Sequence, residues 1–341
     1  MKKIILIITI LCSVQFQMNA QTWKKLHNAP SIKGKQDDLF FINTETGWSV
    51  NGQGKIFKTT DGGEQWDTLV NKPGTYFRCI AFTDSLKGFA GNIGTDYYPG
   101  VTDTIPLYQT FDGGKTWNPV SNINGPVVKG ICNLFILDKT HIYGVGRVGG
   151  PCFIIKSNDG GNSWTSQELN KEMGMLIDCK FFSSDTGYIF GCSNNNNSNG
   201  RSLILGTTDG GKTWQEKFIS KDTMELCWKA SFPSSKVGYV SVLSYDSTST
   251  FIKTIDGGIT WNEYRMIDVG YEAKGVGFIN ENVGWIAGEG IKMPAYKTTD
   301  GGKTWQADHS LGPYINRFRF INNKVGYAIG ASIYKMEINQ K

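Results

Sequence analysis

One eight-residue pattern occurs six times along the chain and constrains its fold more than any other feature. It reads (Ser/Thr)-x-Asp-Gly-Gly-x-x-Trp and occupies residues 59–66, 110–117, 157–164, 207–214, 254–261 and 298–305. The aspartates follow one another at 51, 47, 50, 47 and 44 residues. A period of this length marks a repeat architecture in which each unit is one supersecondary element. Apolar runs lead into the copies (Ile56-Phe57, Phe153-Ile154-Ile155), so each copy sits on the turn of a hairpin. The Asp side chain can accept backbone N–H groups a few residues on, and the Gly pair permits positive φ. The Trp folds back over the hairpin, where full burial is worth ~2–3 kcal/mol. Asp61, Asp112, Asp159, Asp209, Asp256 and Asp300, with Trp66, Trp117, Trp164, Trp214, Trp261 and Trp305, are therefore turn clamps, not catalytic groups.

A second pattern precedes each box: an aromatic residue, a short turn, then Gly-aromatic. It reads Phe41…Gly47-Trp48, Phe82…Gly88-Phe89, Phe181…Gly187-Tyr188, Phe232…Gly238-Tyr239, Phe278…Gly284-Trp285 and Phe320…Gly326-Tyr327. A degenerate copy, Phe135…Ile142-Tyr143, brings the count to seven against six boxes. Each unit then holds four short strands, the mark of a propeller blade. The expected fold is an all-β, seven-bladed β-propeller forming a single domain over residues 21–341. The seventh unit runs out after three strands. Its fourth is supplied by Thr22-Trp23-Lys24-Lys25-Leu26, which resembles the Thr-Trp half of a box. Closing the ring this way removes an open sheet edge.

Residues 1–20 read as an export signal: Lys2 and Lys3, an apolar run over 4–12, and Met18-Asn19-Ala20 as a cleavage site. The expected product is exported, periplasmic or secreted, with no membrane span in the mature chain. Losing Lys2 and Lys3 lowers the formal net charge from +5 to +3. That is too mild a balance to point to nucleic acid. Six cysteines remain after cleavage, an even count that permits disulfides without selecting pairs. His27, His141 and His309 lack ligand spacing, so no metal site is read. No cofactor is implied, and a monomer is expected.

The six boxes and the Gly-aromatic strands resemble the Asp-box (BNR) repeat propellers, most closely the photosystem II stability/assembly-factor type. That resemblance implies a non-catalytic, protein-binding or assembly role. Glycosidases share the box, which keeps a carbohydrate-binding or glycoside-hydrolase-like propeller open as the alternative. The six arginines (Arg78, Arg147, Arg201, Arg265, Arg317, Arg319) show no triad spacing, and the Arg-Ile-Pro segment of sialidases is absent. A one-ring hydrolase would draw its two carboxylates from Asp38, Asp178, Glu225 and Glu272, at the entrances of the channel-lining strands. No residue is assigned as catalytic.

Binding is expected on the face opposite the boxes, where loops sit on a rigid scaffold. The longest loop, residues 92–107, carries Tyr97 and Tyr98; the Asn-rich loop 193–201 ends at Arg201. Shorter loops hold Arg147, Tyr245 and Lys292, and the inter-blade segments add Tyr76, Trp228, Tyr271 and Tyr314. Tyr, Trp and Arg dominate binding hot spots, and a protein partner or a glycan is the expected ligand.

Overall fold

A computed structural model describes residues 21–195, 198–245, 249–267, 272–289 and 294–337. The leader, Tyr271 and Lys292 lie outside the described residues. Seven sheets form the seven blades. Blade 1 runs Asp38–Phe41, Gly47–Asn51, Lys55–Thr59 and Asp67–Asn71, hydrogen-bonded in that order. The first strands of blades 2–7 are Phe77–Phe82, Asn133–Ile136, Met175–Phe181, Glu225–Ser231, Ala273–Phe278 and Arg317–Phe320. Each first strand touches those of both neighbouring blades, and that of blade 7 meets that of blade 1, so the seven enclose a channel. Blade 7 is completed by Lys24–Lys25, antiparallel to Ile333–Glu337, with Lys24 opposite Lys335 and Lys25 opposite Tyr334.

The Asp-centred turn recurs in every box, while the indole N–H finds the carbonyl three residues back in four of the six. In blade 2 the Thr110 hydroxyl donates to Asp112 Oδ1 at 2.9 Å and accepts the Gly114 N–H at 2.9 Å. Asp112 in turn accepts the N–H and hydroxyl of Thr116 at 2.9 and 2.7 Å. Both glycines have positive φ, 73° and 93° in this copy. The Trp117 indole N–H donates to Gly114 O at 3.0 Å.

The Gly-aromatic pattern has a different purpose: it joins neighbouring blades. A Cβ on Gly47 would lie 2.5 Å from the Phe41 ring, and one on Gly284 would lie 2.3 Å from that of Phe278. The Phe ring therefore lies flat on the glycine, leaving its other face to the aromatic of the preceding blade. Trp48 stacks on Phe82 at 3.6 Å, Tyr143 on Phe181 at 3.6 Å, Tyr239 on Phe278 at 3.5 Å and Tyr327 on Phe41 at 3.7 Å. The polar tips then reach the next box. Trp48 Nε1 donates to Gly113 O at 3.0 Å, Tyr188 Oη to Gly257 O at 2.9 Å and Tyr327 Oη to Gly62 O at 3.1 Å.

Two details depart from the sequence expectation, both at blade 3. First, its sheet has five strands: Ile123–Asn124 adds in parallel to Trp164–Glu168. The preceding strand, Asn118–Pro119, is only two residues long, which frees the following segment to pair across the gap between blades. Second, Phe135 is not the equivalent of Phe41. Ile136 opposes Ile142, whereas Phe135 opposes Tyr143. The separation is six residues from Phe41 to Gly47 but seven from Phe135 to Ile142, and one step along a strand turns a side chain to the other face. With no glycine at position 142, the buried Ile142 side chain occupies the place where a ring would lie.

Candidate binding site

First strands enter the channel from the face that carries the inter-blade loops and the loops between second and third strands. Aromatic side chains of blade 2 meet there. Tyr76 stacks on Tyr98 at 4.7 Å, and Tyr97 packs edge-on against Tyr98 at 4.6 Å. Tyr76 and Tyr98 rest on a buried apolar cluster from blades 2 to 5 that includes Ile93, Val148, Met175, Leu226 and Trp228. The loop over residues 92–107 thus lies across the channel mouth. Its base is fixed by Asn92, whose amide donates to Asp103 O and Ile105 O at 3.0 Å each. Tyr97, Tyr245 and Met224 stay exposed around the opening, at 38%, 43% and 37%. A cavity of about 340 Å³ beside Tyr76 and Tyr98 is walled by Pro73, Thr75, Pro99 and Val101.

Directly below, three cations surround one indole. Lys35 Nζ, Arg78 Cζ and Lys274 Nζ lie 5.9, 5.2 and 5.3 Å from the Trp228 ring centroid. Trp228 Nε1 donates to Asn316 Oδ1 at 2.7 Å, and the Asn316 amide donates to Asp37 O at 2.8 Å, so blades 1, 5 and 7 fix this ring together. Asp37 pairs with both Lys35, at 2.8 Å, and Arg78. Arg78 is fully buried, yet its Nε and Nη2 have no hydrogen-bond partner. Burial, then the adjacent Arg78 charge, brings the Lys35 amine down to about 8. Burial, then Lys35 and Arg78, brings Lys274 down to about 7. Lys274 pairs with Glu289, so the three cations share the two carboxylates of Asp37 and Glu289, and the surplus positive charge in low dielectric favours an anion. Sequence reading named Trp228 here but missed Lys35, Arg78 and Lys274. Their signal was Arg78 and Lys274 standing inside first strands of otherwise apolar or small residues (Phe77-Arg78-Cys79-Ile80 and Ala273-Lys274-Gly275-Val276).

Deeper in the channel, Arg317 joins the two acids considered for hydrolysis: its Nε lies 3.1 Å from Asp38 Oδ1 and its Nη1 3.5 Å from Asp178 Oδ2. Arg319 Nη2 also contacts Asp38, at 3.2 Å. Despite burial, the Arg317 and Arg319 charges hold Asp38 below the usual carboxylate range. Glu225 begins the first strand of blade 5 and is buried. Among the described residues no group of three His, Cys, Asp or Glu side chains is placed to hold a metal. The six cysteines are buried as free thiols.

The remaining sequence candidates fall apart from this cluster or serve the scaffold. Arg147 is buried and donates to the carbonyls of Gly150 (2.7 Å), Ile93 (3.3 Å) and Thr95, tying blade 3 to blade 2. The Arg201 N–H donates to Ser193 Oγ at 3.1 Å and closes the Asn-rich loop. Tyr314 is half-buried, with φ of 65°. Trp228 lies within the first strand of blade 5 and not in a loop.

A family model for the BNR/Asp-box repeat matches residues 296–307, which span the last box hairpin. The chain is a seven-bladed β-propeller that carries the Asp-box repeat. No curated protein sequence matches it significantly. Among solved structures, this Asp-box propeller is similar to YCF48 bound to D1 peptide, with 17% identity, TM-score 0.69, and coverage of 95% of this chain and 97% of that one. It is also similar to YCF48 from Cyanidioschyzon merolae, with 17% identity, TM-score 0.68, and coverage of 93% and 99%. The GH74 xyloglucanase from Xanthomonas campestris aligns at 11% identity and TM-score 0.65, over 93% of this chain but only 53% of the enzyme. At these identities the likeness concerns the fold.

Proposed function

We propose that this Asp-box propeller is an exported, non-enzymatic scaffold that binds a segment of a protein partner across its loop face, in the manner of an assembly factor. The observation that carries the proposal is the channel mouth. Exposed Tyr97, Tyr245 and Met224 offer apolar contact above a buried anion receptor made by Lys35, Arg78 and Lys274 around Trp228. Aromatic anchors beside a desolvated charge form the usual composition of a protein-binding hot spot. A fold relative whose structure holds a peptide supports the same reading. The pairing of Asp38 with Arg317 and Arg319 favours scaffold over hydrolase, because a carboxyl held ionised by arginine is a poor general acid. Export is proposed from the charged, then apolar, leader and its small-residue cleavage site.

The test is crosslinked affinity capture from the native cell envelope with the wild-type protein and with a Tyr97→Ala/Tyr245→Ala variant. A stoichiometric protein that binds wild type and is lost from the variant is the expected result, because each hot-spot aromatic contributes ~2 kcal/mol or more, about thirtyfold in affinity. Turnover of a polysaccharide by the pure protein, or saturable glycan binding with no protein captured, would overturn it in favour of the carbohydrate-active alternative.

A further inference from the structure

The opposite end of the channel, beside the boxes, holds a second cation-lined site. A cavity of about 120 Å³ opens there, lined by Asn133, Phe135, Asp178, Lys180, Arg317 and Arg319 among others. Its two nearest carboxylates are already engaged. Asp178 Oδ1 accepts the Cys179 N–H at 3.1 Å, while Oδ2 accepts the Ala230 N–H at 3.0 Å and faces Arg317. Asp38 accepts the N–H groups of Leu39 and Ile80 and pairs with both arginines.

The cations, by contrast, keep donors uncommitted. Arg319 uses Nε on Leu39 O at 3.2 Å and Nη2 on Asp38, leaving Nη1 without a partner among the described residues. Lys180 makes no ion pair among them; its ammonium lies 4.8 Å from the Phe135 ring centroid and 5.5 Å from that of Phe182. Two π faces orient the charge while leaving all three N–H donors available. The one-residue offset of blade 3 puts Phe135 at the register position that Lys180 and Arg319 hold in their blades, opposite Tyr143 as they are opposite Tyr188 and Tyr327, and so in this lining. Burial, and after it the Arg319 charge, pulls the Lys180 amine down, and burial depresses Arg319 as well. Lys229, buried further in, is brought to about 7 by burial and then by Arg317. Cations that disfavour one another's charge are relieved by an anion among them.

We infer that this box-face cavity binds a small oxyanion, a carboxylate or a phosphate group, held by Lys180 and Arg319. The volume admits one such group and not a nucleotide. Arg317 is committed through Nε to Asp38, through Nη1 to Asp178 and through Nη2 to Asn133 Oδ1 at 2.7 Å, so it contributes charge to the wall and no donor. Arg319 supplies its Nη1 donors, and the Lys180 ammonium supplies charge and donors at the mouth. The site lies at the far end of the channel from the loop face and does not depend on partner binding there.

The experiment is calorimetric titration of the purified protein at constant ionic strength with three probes: sodium phosphate, sodium acetate, and a glycine-rich pentapeptide as free acid and as amide. Sodium chloride serves as the control. Saturable binding of an oxyanion but not of chloride is expected. Lys180→Gln should weaken it roughly ten- to a hundredfold, the value of a hydrogen bond to a charged group. Arg319→Lys keeps Asp38 paired while removing the planar fork, and should weaken binding too. Tyr97→Ala should leave it unchanged, which separates this site from the loop face. Binding of phosphate alone identifies a free inorganic ion. Binding of the acid peptide but not its amide identifies a chain-terminal carboxylate. Absence of saturable binding by every probe, or wild-type affinity in both folded variants, overturns the inference.

Discussion

Replacing Trp23 with alanine tests the ring closure directly. Trp23 is 2% exposed and packs against Trp285 and Phe318 at 5.4 Å and against Phe320 at 6.1 Å. It occupies in blade 7 the position that a box Trp takes elsewhere. With no box in that blade, its indole N–H has no acceptor, so truncation removes packing and no hydrogen bond. A buried Trp→Ala change costs about 3–5 kcal/mol. At about 2.1 cal/mol/K per residue, unfolding the ring carries roughly 0.7 kcal/mol/K, so the melting temperature should fall by about 4–7 °C. Trp23→Phe retains most of the packed area and should cost less than about 1.5 kcal/mol. Differential scanning calorimetry of both variants, with size-exclusion chromatography to detect pairing through the loosened edge at Ile333–Glu337, gives the comparison. A Trp23→Ala protein that melts with wild type would refute the closure argument; equal losses in the two variants would refute the packing argument.

Three further outcomes follow from the same geometry. Gly284→Ala places a Cβ 2.3 Å from the Phe278 ring, which is itself held by Tyr239, so overpacking should destabilise by about 1–3 kcal/mol; an unchanged urea midpoint would count against the latch. All six box aspartates are held below the ordinary value of 3.8, Asp112 and Asp300 at about 2, chiefly by hydrogen bonds from the residue four positions on. Because the folded pKa is the lower one, their contribution is intact above about pH 4 and is lost as pH falls through 2; urea midpoints that stay flat from pH 5 to pH 2 would contradict this. The six thiols are buried, and burial pushes Cys152 up to about 12; none should react with a thiol reagent in the native protein, and all six should react in guanidinium.

What was legible in the sequence tracks how local each interaction is. A box closes its hydrogen bonds within eight residues, so Asp112, Thr110 and Trp117 could be assigned before any fold was known. The missing fourth strand was legible because Thr22-Trp23 repeats half a box. The Gly-aromatic pattern was visible as a pattern, but its partners are a blade away, and its role as a latch between Trp48 and Phe82 emerges only once the blades are assembled. The offset at blade 3 escaped notice because Phe135 and Ile136 are both plausible core residues one step apart. The channel sites were the least legible. Lys35, Arg78, Trp228, Lys274 and Asn316 come from five blades and are joined by ring curvature, not by spacing. Charged residues inside otherwise apolar first strands were the one available clue.

The pairing of Lys24–Lys25 with Ile333–Glu337 also fixes an order of events. The strand Lys24–Lys25 precedes the other strands described and is seated after them, because its partner Ile333–Glu337 follows them all. Throughout synthesis, and through any passage across a membrane, that leading stretch has no native neighbour, while blade 1 stands with one flank bare. Blades 1 to 6 each hold their own four strands and can take shape as they emerge. The circle itself stays open until Ile333–Glu337 arrives. A chain stalled or clipped short of position 333 would therefore keep blades 1 to 6 and still be unsealed, because Lys24–Lys25 would have no strand to pair with. For this ring, completion is a single event.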